Sequence, residues 1–208
     1  MKTVFIEARK NVSLNKGKLE ELAKVLPHTI YIVYGIQYKK LALEIKKSLK
    51  NKKIIGFSQI LGCSKLKTRA DAILLVGEAR FHALNIALSS GKPVFIFDNL
   101  SINKIDSQEI LAMQKQEKGK YLKFLSSSSV GILVSTKPGQ ENLKAAEKIK
   151  KTLEKKSKKV FLFLADSISP DELENFPDID MWINTACPGI SLDSSKIINY
   201  ASIKTKSK

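Results

Sequence analysis

The chain carries two cysteines, Cys63 in "FSQILGCS" and Cys187 in "MWINTACPGISLD", and each follows a run of strand-forming residues. They lie far apart and match no zinc-finger spacing, no redox pair and no disulfide framework that a sequence identifies. Gly62 permits a close turn before Cys63, while Pro188 and Gly189 stop the strand from continuing past Cys187. A free cysteine is by default a small buried hydrophobe. Two of them past strand ends, both beside glycine, weigh against that default and leave thiolate chemistry open.

Two further loops hold groups that could act. "STKPGQ", Ser135 to Gln140, closes a strand and opens a helix. Ser135 or Thr136 could cap that helix, and its free amides would favour an anion. In "VGEARFHALNIALSSGKPVFIF" a strand ends at Gly77 and a helix carries Phe81 and His82 near its start. A lone histidine there is a helix-end hydrogen bonder or a proton-transfer group, and its ordinary pKa serves either role.

The elements that must position these loops are short apolar runs alternating with helical periods. Strands are expected at "TVFIEA", "TIYIVY", "KIIGFS", "AILLVG", "PVFIFD", "VGILVST", "KVFLFLA" and "DMWINTA", with helices near 17–26, 37–50, 80–90, 106–125, 139–156 and 170–175. Continuous apolar runs are the mark of strands buried on both faces of a parallel sheet. The fold class is therefore α/β, with right-handed crossovers. In such sheets ligands bind beyond the carboxyl ends of the strands, where both cysteines fall.

An internal echo suggests two similar α/β domains with parallel sheets flanked by helices. "TIYIVYGIQYKKLALEIKKSLKNKKIIGF" and "VGILVSTKPGQENLKAAEKIKKTLEKKSKKVFLFL" share a strand, a glycine near a glutamine, a helix with "IKKSL" or "IKKTL", a lysine-rich turn and a second strand. Ile45 and Ile149 are matching positions. The bland alternative is that lysine-rich amphipathic helices resemble one another. The boundary is expected in the polar segment "QKQEKGK", giving domains 1–118 and 119–208.

Composition narrows the class further. At 208 residues and 43% hydrophobic, the chain can bury one sizeable core or two small ones. Its apolar runs are far shorter than the roughly 18 residues a membrane span requires, and "MKTVFIEA" turns polar too soon for a secretory signal. A reducing cytoplasm is the expected compartment. The net charge of +16 invites a nucleic-acid partner, yet only Arg9, Arg69 and Arg80 among 36 basic residues are arginine. Lysines on helix faces and in "KTKSK", with no interleaved aromatics, read more readily as solvated surface, so nucleic acid is not favoured.

Taken in order, "FSQILGCS", "LLVGEARFHALNIALSSGKPVFIF", "VGILVSTKPGQ", "FLFLADSISPDEL" and "INTACPGISLD" resemble the diphthamide synthase family, the noncanonical radical 2-(3-amino-3-carboxypropyl)histidine synthases. The resemblance runs from about Val4 to Asp193. It implies a fold of similar α/β domains around a central 4Fe-4S cluster, each domain giving one cysteine. It implies that S-adenosylmethionine is the substrate whose 3-amino-3-carboxypropyl group goes to a histidine of translation elongation factor 2. Carried over by position, Cys63 and Cys187 match cluster ligands, which suits the thiolate preference of iron–sulfur centres. Gln59 and Gly62 belong to the first cysteine loop, and Phe81, His82 and Gln140 match positions lining the S-adenosylmethionine pocket.

The departures from the family pattern set the remaining expectations. The resemblance begins at the family's second domain, so residues 1–118 would correspond to that domain and 119–208 to the third. The third cysteine would come from a separate chain or a homo- or hetero-oligomeric partner. Ala83 stands where proline is usual, Asn85 where glycine is common, and Gly189 where the last cysteine loop usually carries arginine. A noncatalytic accessory subunit and an RNA-binding α/β module that lost the chemistry are the alternatives. Retention of both cysteine loops argues for the first readings over the module.

Overall fold

Apolar runs such as "AILLV" and "VFIF" have no polar face to offer water, so they must be covered on both sides. In the computed structural model, which describes residues 4, 6, 8–61, 64–192 and 194–206, they are central strands. The chain divides into two units, residues 1–111 and 112–208.

Unit 1 contains α1 (Lys16–Val25), β1 (Thr29–Tyr34), α2 (Lys39–Ser48), β2 (Lys53–Gln59), β3 (Ala72–Val76), α3 (Arg80–Ser90), β4 (Val94–Phe97) and β5 (Ile102–Lys104). The sheet order is β2-β1-β3-β4-β5, parallel except for the antiparallel edge strand β5. Alternation along β1 and β3 sends Ile30, Ile32 and Leu74 toward α1 and α2, where Leu22, Leu41 and Ile45 are buried. Val33, Ile73 and Leu75 face the opposite way, onto Ala83, Ile86 and Ala87 of α3. Gly91 ends α3 with φ 66, the left-handed conformation that glycine adopts freely.

Helix α4 (Ser107–Ser126) contains the division between the units and passes through the boundary expected at 118/119. Unit 2 continues with β6 (Ser129–Ser135), α5 (Leu143–Glu154), β7 (Lys159–Ala165), β8 (Met181–Asn184), β9 (Ile197–Asn199) and α6 (Tyr200–Lys206). Its sheet, β7-β6-β8-β9, is parallel throughout. Helical residues Phe124, Ala146, Ile149 and Leu153 cover one face, on Val130, Ile132, Met181 and Ile183. The other face, with Leu133, Trp182 and Ile197, packs against Ile179, Phe163, Ile168 and Leu173; Leu173 belongs to a 3-10 turn, Asp171–Asn175.

The central pairs β1·β3 and β6·β8 share a register, whereas β1·β2 has an irregularity between Ile30 and Tyr31 that β6·β7 lacks. Ile30 lies opposite Ala72 and Val33 opposite Leu75, as Val130 lies opposite Met181 and Leu133 opposite Asn184. Each sheet also has one glycine beneath a ring. A Cβ on Gly56 would stand 2.0 Å from the Tyr31 ring, and one on Gly131 would stand 2.3 Å from the Trp182 ring. Trp182 is 2% exposed and held edge-on by Phe163 at 4.7 Å and Phe176 at 5.9 Å.

One buried amide ties down the segment ahead of α1. Asn99, just past β4, accepts from the Asn15 N–H at 2.8 Å through Oδ1 and donates to the Ser13 carbonyl at 2.8 Å through Nδ2. It does so from a left-handed backbone, φ 77, that most side chains resist.

Some expectations need correction. Val4, Ile6 and Ala8 are in no strand, and Val4 and Ile6 are exposed, because an apolar run gains nothing from extension without a partner strand. Thr3, Phe5 and Glu7 of the same run lie outside the described residues. The helix expected at 170–175 is the 3-10 turn, the one expected at 37–50 opens with a 3-10 turn at Ile36–Tyr38, and the one expected from 139 begins at Leu143. Strands β5 and β9 and helix α6 were not expected.

Candidate functional site

The carboxyl end of the unit 1 sheet opens into a pocket of about 420 Å³. Three chain segments build it: Gly35 to Tyr38 after β1, Gln59 to Leu61 at the end of β2, and Gly77 to His82 between β3 and α3. Parallel strands end together on one side of a sheet, so residues distant in sequence meet there. Gly77 has φ 145, and any side chain on it would press on the Tyr38 ring at 3.3 Å. Glycine thus lets the chain turn from β3 toward α3 beside Tyr38.

Sequence-predicted residues meet in this pocket. Gln59 and His82 both line it. Nδ1 of His82 is buried and has no hydrogen-bond partner among the described residues, and burial holds the imidazole below its ordinary pKa. A buried polar atom without a partner is costly unless a ligand satisfies it. Phe81 does not line the pocket; its ring sits edge-on to that of His82 at 5.8 Å. Gly62 and Cys63 lie outside the described residues, immediately after the pocket residue Leu61.

The pocket also holds groups the sequence did not single out. Tyr38 donates to Glu78 Oε1, and Lys10 Nζ donates to Tyr38 Oη at 2.9 Å and to Glu78 Oε1 at 2.8 Å. Hydrogen bonds from Lys10 first and Tyr38 second hold the Glu78 carboxyl below the usual range. Burial, then donation to Glu78, raises the Tyr38 phenol, and the Lys10 ammonium is raised chiefly by Glu78. The result is an ionised carboxylate at the pocket lip with its lysine already attached. Of these residues only Gly35 and Gln37 left a sequence signal, the glycine-near-glutamine of the internal echo.

In unit 2 the loops after β6 and β8 hold Gln140 and Cys187. Gln140 lies in an exposed turn, its N–H bonded to the Lys137 carbonyl at 3.0 Å. Neither Ser135 nor Thr136 caps α5. Asn142 stands at the cap position, and the buried Ser135 hydroxyl instead accepts from the Lys137 N–H at 3.2 Å. The longer loop separates the hydroxyls from the helix start. Cys187 is a free, half-buried thiol on extended backbone, φ −70 and ψ 124, leading into a 3-10 turn, Pro188–Ser191. Proline at the first turn position suits that start.

A half-buried free thiol beside proline suits a thiolate ligand. Yet no group of three or more His, Cys, Asp or Glu side chains among the described residues could hold a metal ion. No described helix is long and apolar enough to cross a membrane.

Comparison with known proteins gives a consistent picture. Residues 1–200 match the family described as diphthamide synthesis protein. The 2-(3-amino-3-carboxypropyl)histidine synthase of Methanocaldococcus jannaschii is 38% identical over 174 residues, covering 79% of this chain and 46% of that protein. Subunit 1 of the Caenorhabditis elegans synthase is 31% identical over 141 residues, covering 65% of this chain and 35% of that protein. The fold is like that of crystalline Dph2 from Pyrococcus horikoshii with a 4Fe-4S cluster, at TM-score 0.79 and 24% identity, covering 91% of this chain and 60% of that one. This chain thus spans about half the length of the relatives it matches.

Proposed function

Because the chain belongs to the diphthamide synthesis protein family, we propose that it forms part of a 2-(3-amino-3-carboxypropyl)histidine synthase acting on S-adenosylmethionine and a histidine of translation elongation factor 2. Units 1 and 2 answer to the family's second and third domains. Cys63 and Cys187 would hold a 4Fe-4S cluster, with a third thiolate from outside these 208 residues, supplied by a partner chain. When bound, such a cluster supplies the electron that breaks a carbon–sulfur bond of the substrate.

The observation that carries this reading is the unit 1 pocket. Its volume falls in the range of small-molecule sites. Gln59 and His82 converge on it, and the unpartnered His82 Nδ1 offers a hydrogen bond to a ligand. The Phe81 ring lies edge-on to that imidazole. Gln140, exposed after β6, is free to reach a ligand that a completed enzyme would bring.

A second reading, a noncatalytic subunit beside a complete partner, draws on there being only two cysteines in these 208 residues. Anaerobic reconstitution with and without a candidate partner, read by iron and sulfide content and by electron paramagnetic resonance, separates the two. The expected result is a labile, incomplete centre on the lone chain and a full cluster with the partner, lost on Cys63→Ala or Cys187→Ala. A stable four-iron cluster on the lone chain overturns the shared arrangement. A full cluster that survives both substitutions, ligated wholly by the partner, establishes the accessory role.

A further inference from the structure

The turn that carries Cys187 is tied down by side chains from three elements. Asn184, the last residue of β8 and 3% exposed, donates through Nδ2 to the Cys187 carbonyl at 2.7 Å and to Asn199 Oδ1 at 2.8 Å. Its Oδ1 accepts from the Ala186 N–H at 2.9 Å. Asn199, opposite it on β9, donates to the Pro188 carbonyl at 3.1 Å and to Ser191 Oγ at 2.6 Å. Ser191, 1% exposed, returns its hydroxyl to the Pro188 carbonyl at 3.1 Å. The Ser191 carbonyl accepts from Nζ of Lys120 on α4, which is 3% exposed.

Three carbonyls of one five-residue turn, those of Cys187, Pro188 and Ser191, thus accept from buried or half-buried side-chain donors. Turn carbonyls normally look to water. Bringing the Asn184 amide and the Lys120 ammonium into the core to reach them is costly unless both are satisfied. Core packing does not require it either, since the register puts Leu75 of unit 1 where unit 2 has Asn184. A hydrocarbon serves there when no thiol loop needs holding.

Resting on the cluster reading above, we propose that Asn184, Asn199 and Lys120 are positioning residues for the Cys187 thiolate. The two amides fix the turn so that the sulfur meets iron in one orientation. Lys120, with Glu117 Oε1 3.7 Å from its Nζ, anchors the same turn to α4 through the Ser191 carbonyl. Groups of this kind around a ligand shape affinity and reduction potential as much as the ligand does.

The test uses the full chain and does not depend on turnover. Alkylation of Cys187 by iodoacetamide is followed by mass spectrometry, with Cys63 in the same molecule as reference. Asn184→Leu, the residue unit 1 uses at that place, should raise the Cys187-to-Cys63 ratio about tenfold, and Lys120→Met about threefold, as the turn opens locally. A general loosening would raise both thiols together. An unchanged ratio in both variants, with circular dichroism intact, overturns the proposal. Should Asn184→Leu not fold, Ser191→Ala removes a single hydroxyl and is judged by the same ratio.

A separate arm addresses the cluster. Protection of Cys187 from alkylation after anaerobic loading with iron and sulfide tests whether it ligates at all. Lack of protection sinks the ligand reading while leaving the rigidity result standing. With protection, Lys120→Met should shift the g-values of the reduced centre, and unchanged g-values overturn the role given to Lys120 at the cluster.

Discussion

Units 1 and 2 share a strand order and the pairing register of their central strands but use their third crossover differently. After β3 the chain turns at Gly77 and enters an eleven-residue helix, whose start puts His82 into a pocket. After β8 it makes a four-residue 3-10 turn behind Cys187, held by amides. The cysteines do not correspond either: Cys63 follows β2, whereas Cys187 follows β8. Duplicating a sheet duplicates a platform, and chemistry settles on whichever loop can be shaped for it.

The largest test of this comparison concerns the two glycines under rings. Gly131→Ala should cost about 3 kcal/mol, because Trp182 is boxed in by Phe163 and Phe176 and cannot withdraw. Gly56→Ala should cost nearer 1 kcal/mol, since Tyr31 is only half-buried and can swing aside. Urea denaturation of each variant checks this, and equal losses would mean that the rings are equally confined.

A smaller effect separates two aspartates in corresponding places. Asp71 and Asp180 precede β3 and β8, and each donates its N–H to the first residue of the central strand, Thr29 or Ser129. Only the Asp180 carboxylate also accepts, from the Ser128 and Ser129 N–H groups at 2.8 and 2.9 Å. Asp180→Asn should cost about 1 kcal/mol after allowance for its exposure, and Asp71→Asn almost nothing. The bonds from Ser129 and Ser128 lower the Asp180 pKa, so its contribution is present above the ordinary value of 3.8 and is lost as pH falls through the folded value. Acid titration of each variant by fluorescence or circular dichroism reads the difference.

The smallest effect is a slope. Burial lowers the His82 pKa, so its neutral form favours the fold above the ordinary value of 6.5, and stability declines as pH falls from there toward the folded value. Both histidines, His28 and His82, belong to unit 1. Amide exchange should therefore show unit 1 weakening in that window while unit 2 holds, and His82→Gln should flatten the slope. A persistent slope in that variant would assign it elsewhere.

How legible the molecule was in its sequence depended on how local the cause was. Runs such as "AILLV" and "VFIF" declare a doubly covered sheet because nothing else can bury them. Strands β5 and β9 are three residues each and exist only because a longer neighbour offers its edge. The reverse holds for "TVFIEA", where propensity had no partner at residues 4, 6 and 8. His82 was readable near the start of the helix after β3, and Gln59, which closes β2, came from the family resemblance. Lys10 and Glu78 were not readable, since their meeting across 68 positions is a product of strand order. Asn184 left a faint mark, a polar residue closing the apolar strand "MWIN", but what it holds becomes visible only when β9 brings Asn199 alongside.

Asn99 shows what such constraints mean for variation. It must adopt φ 77 and also give and receive a hydrogen bond through one short amide. Glycine meets the first demand and loses both bonds; aspartate tolerates the backbone but can only accept; glutamine has the amide on too long an arm. In a scan of all substitutions, this unremarkable loop position should be among the least permissive in unit 1. It does not line the pocket, which warns against reading intolerance to change as a sign of chemistry.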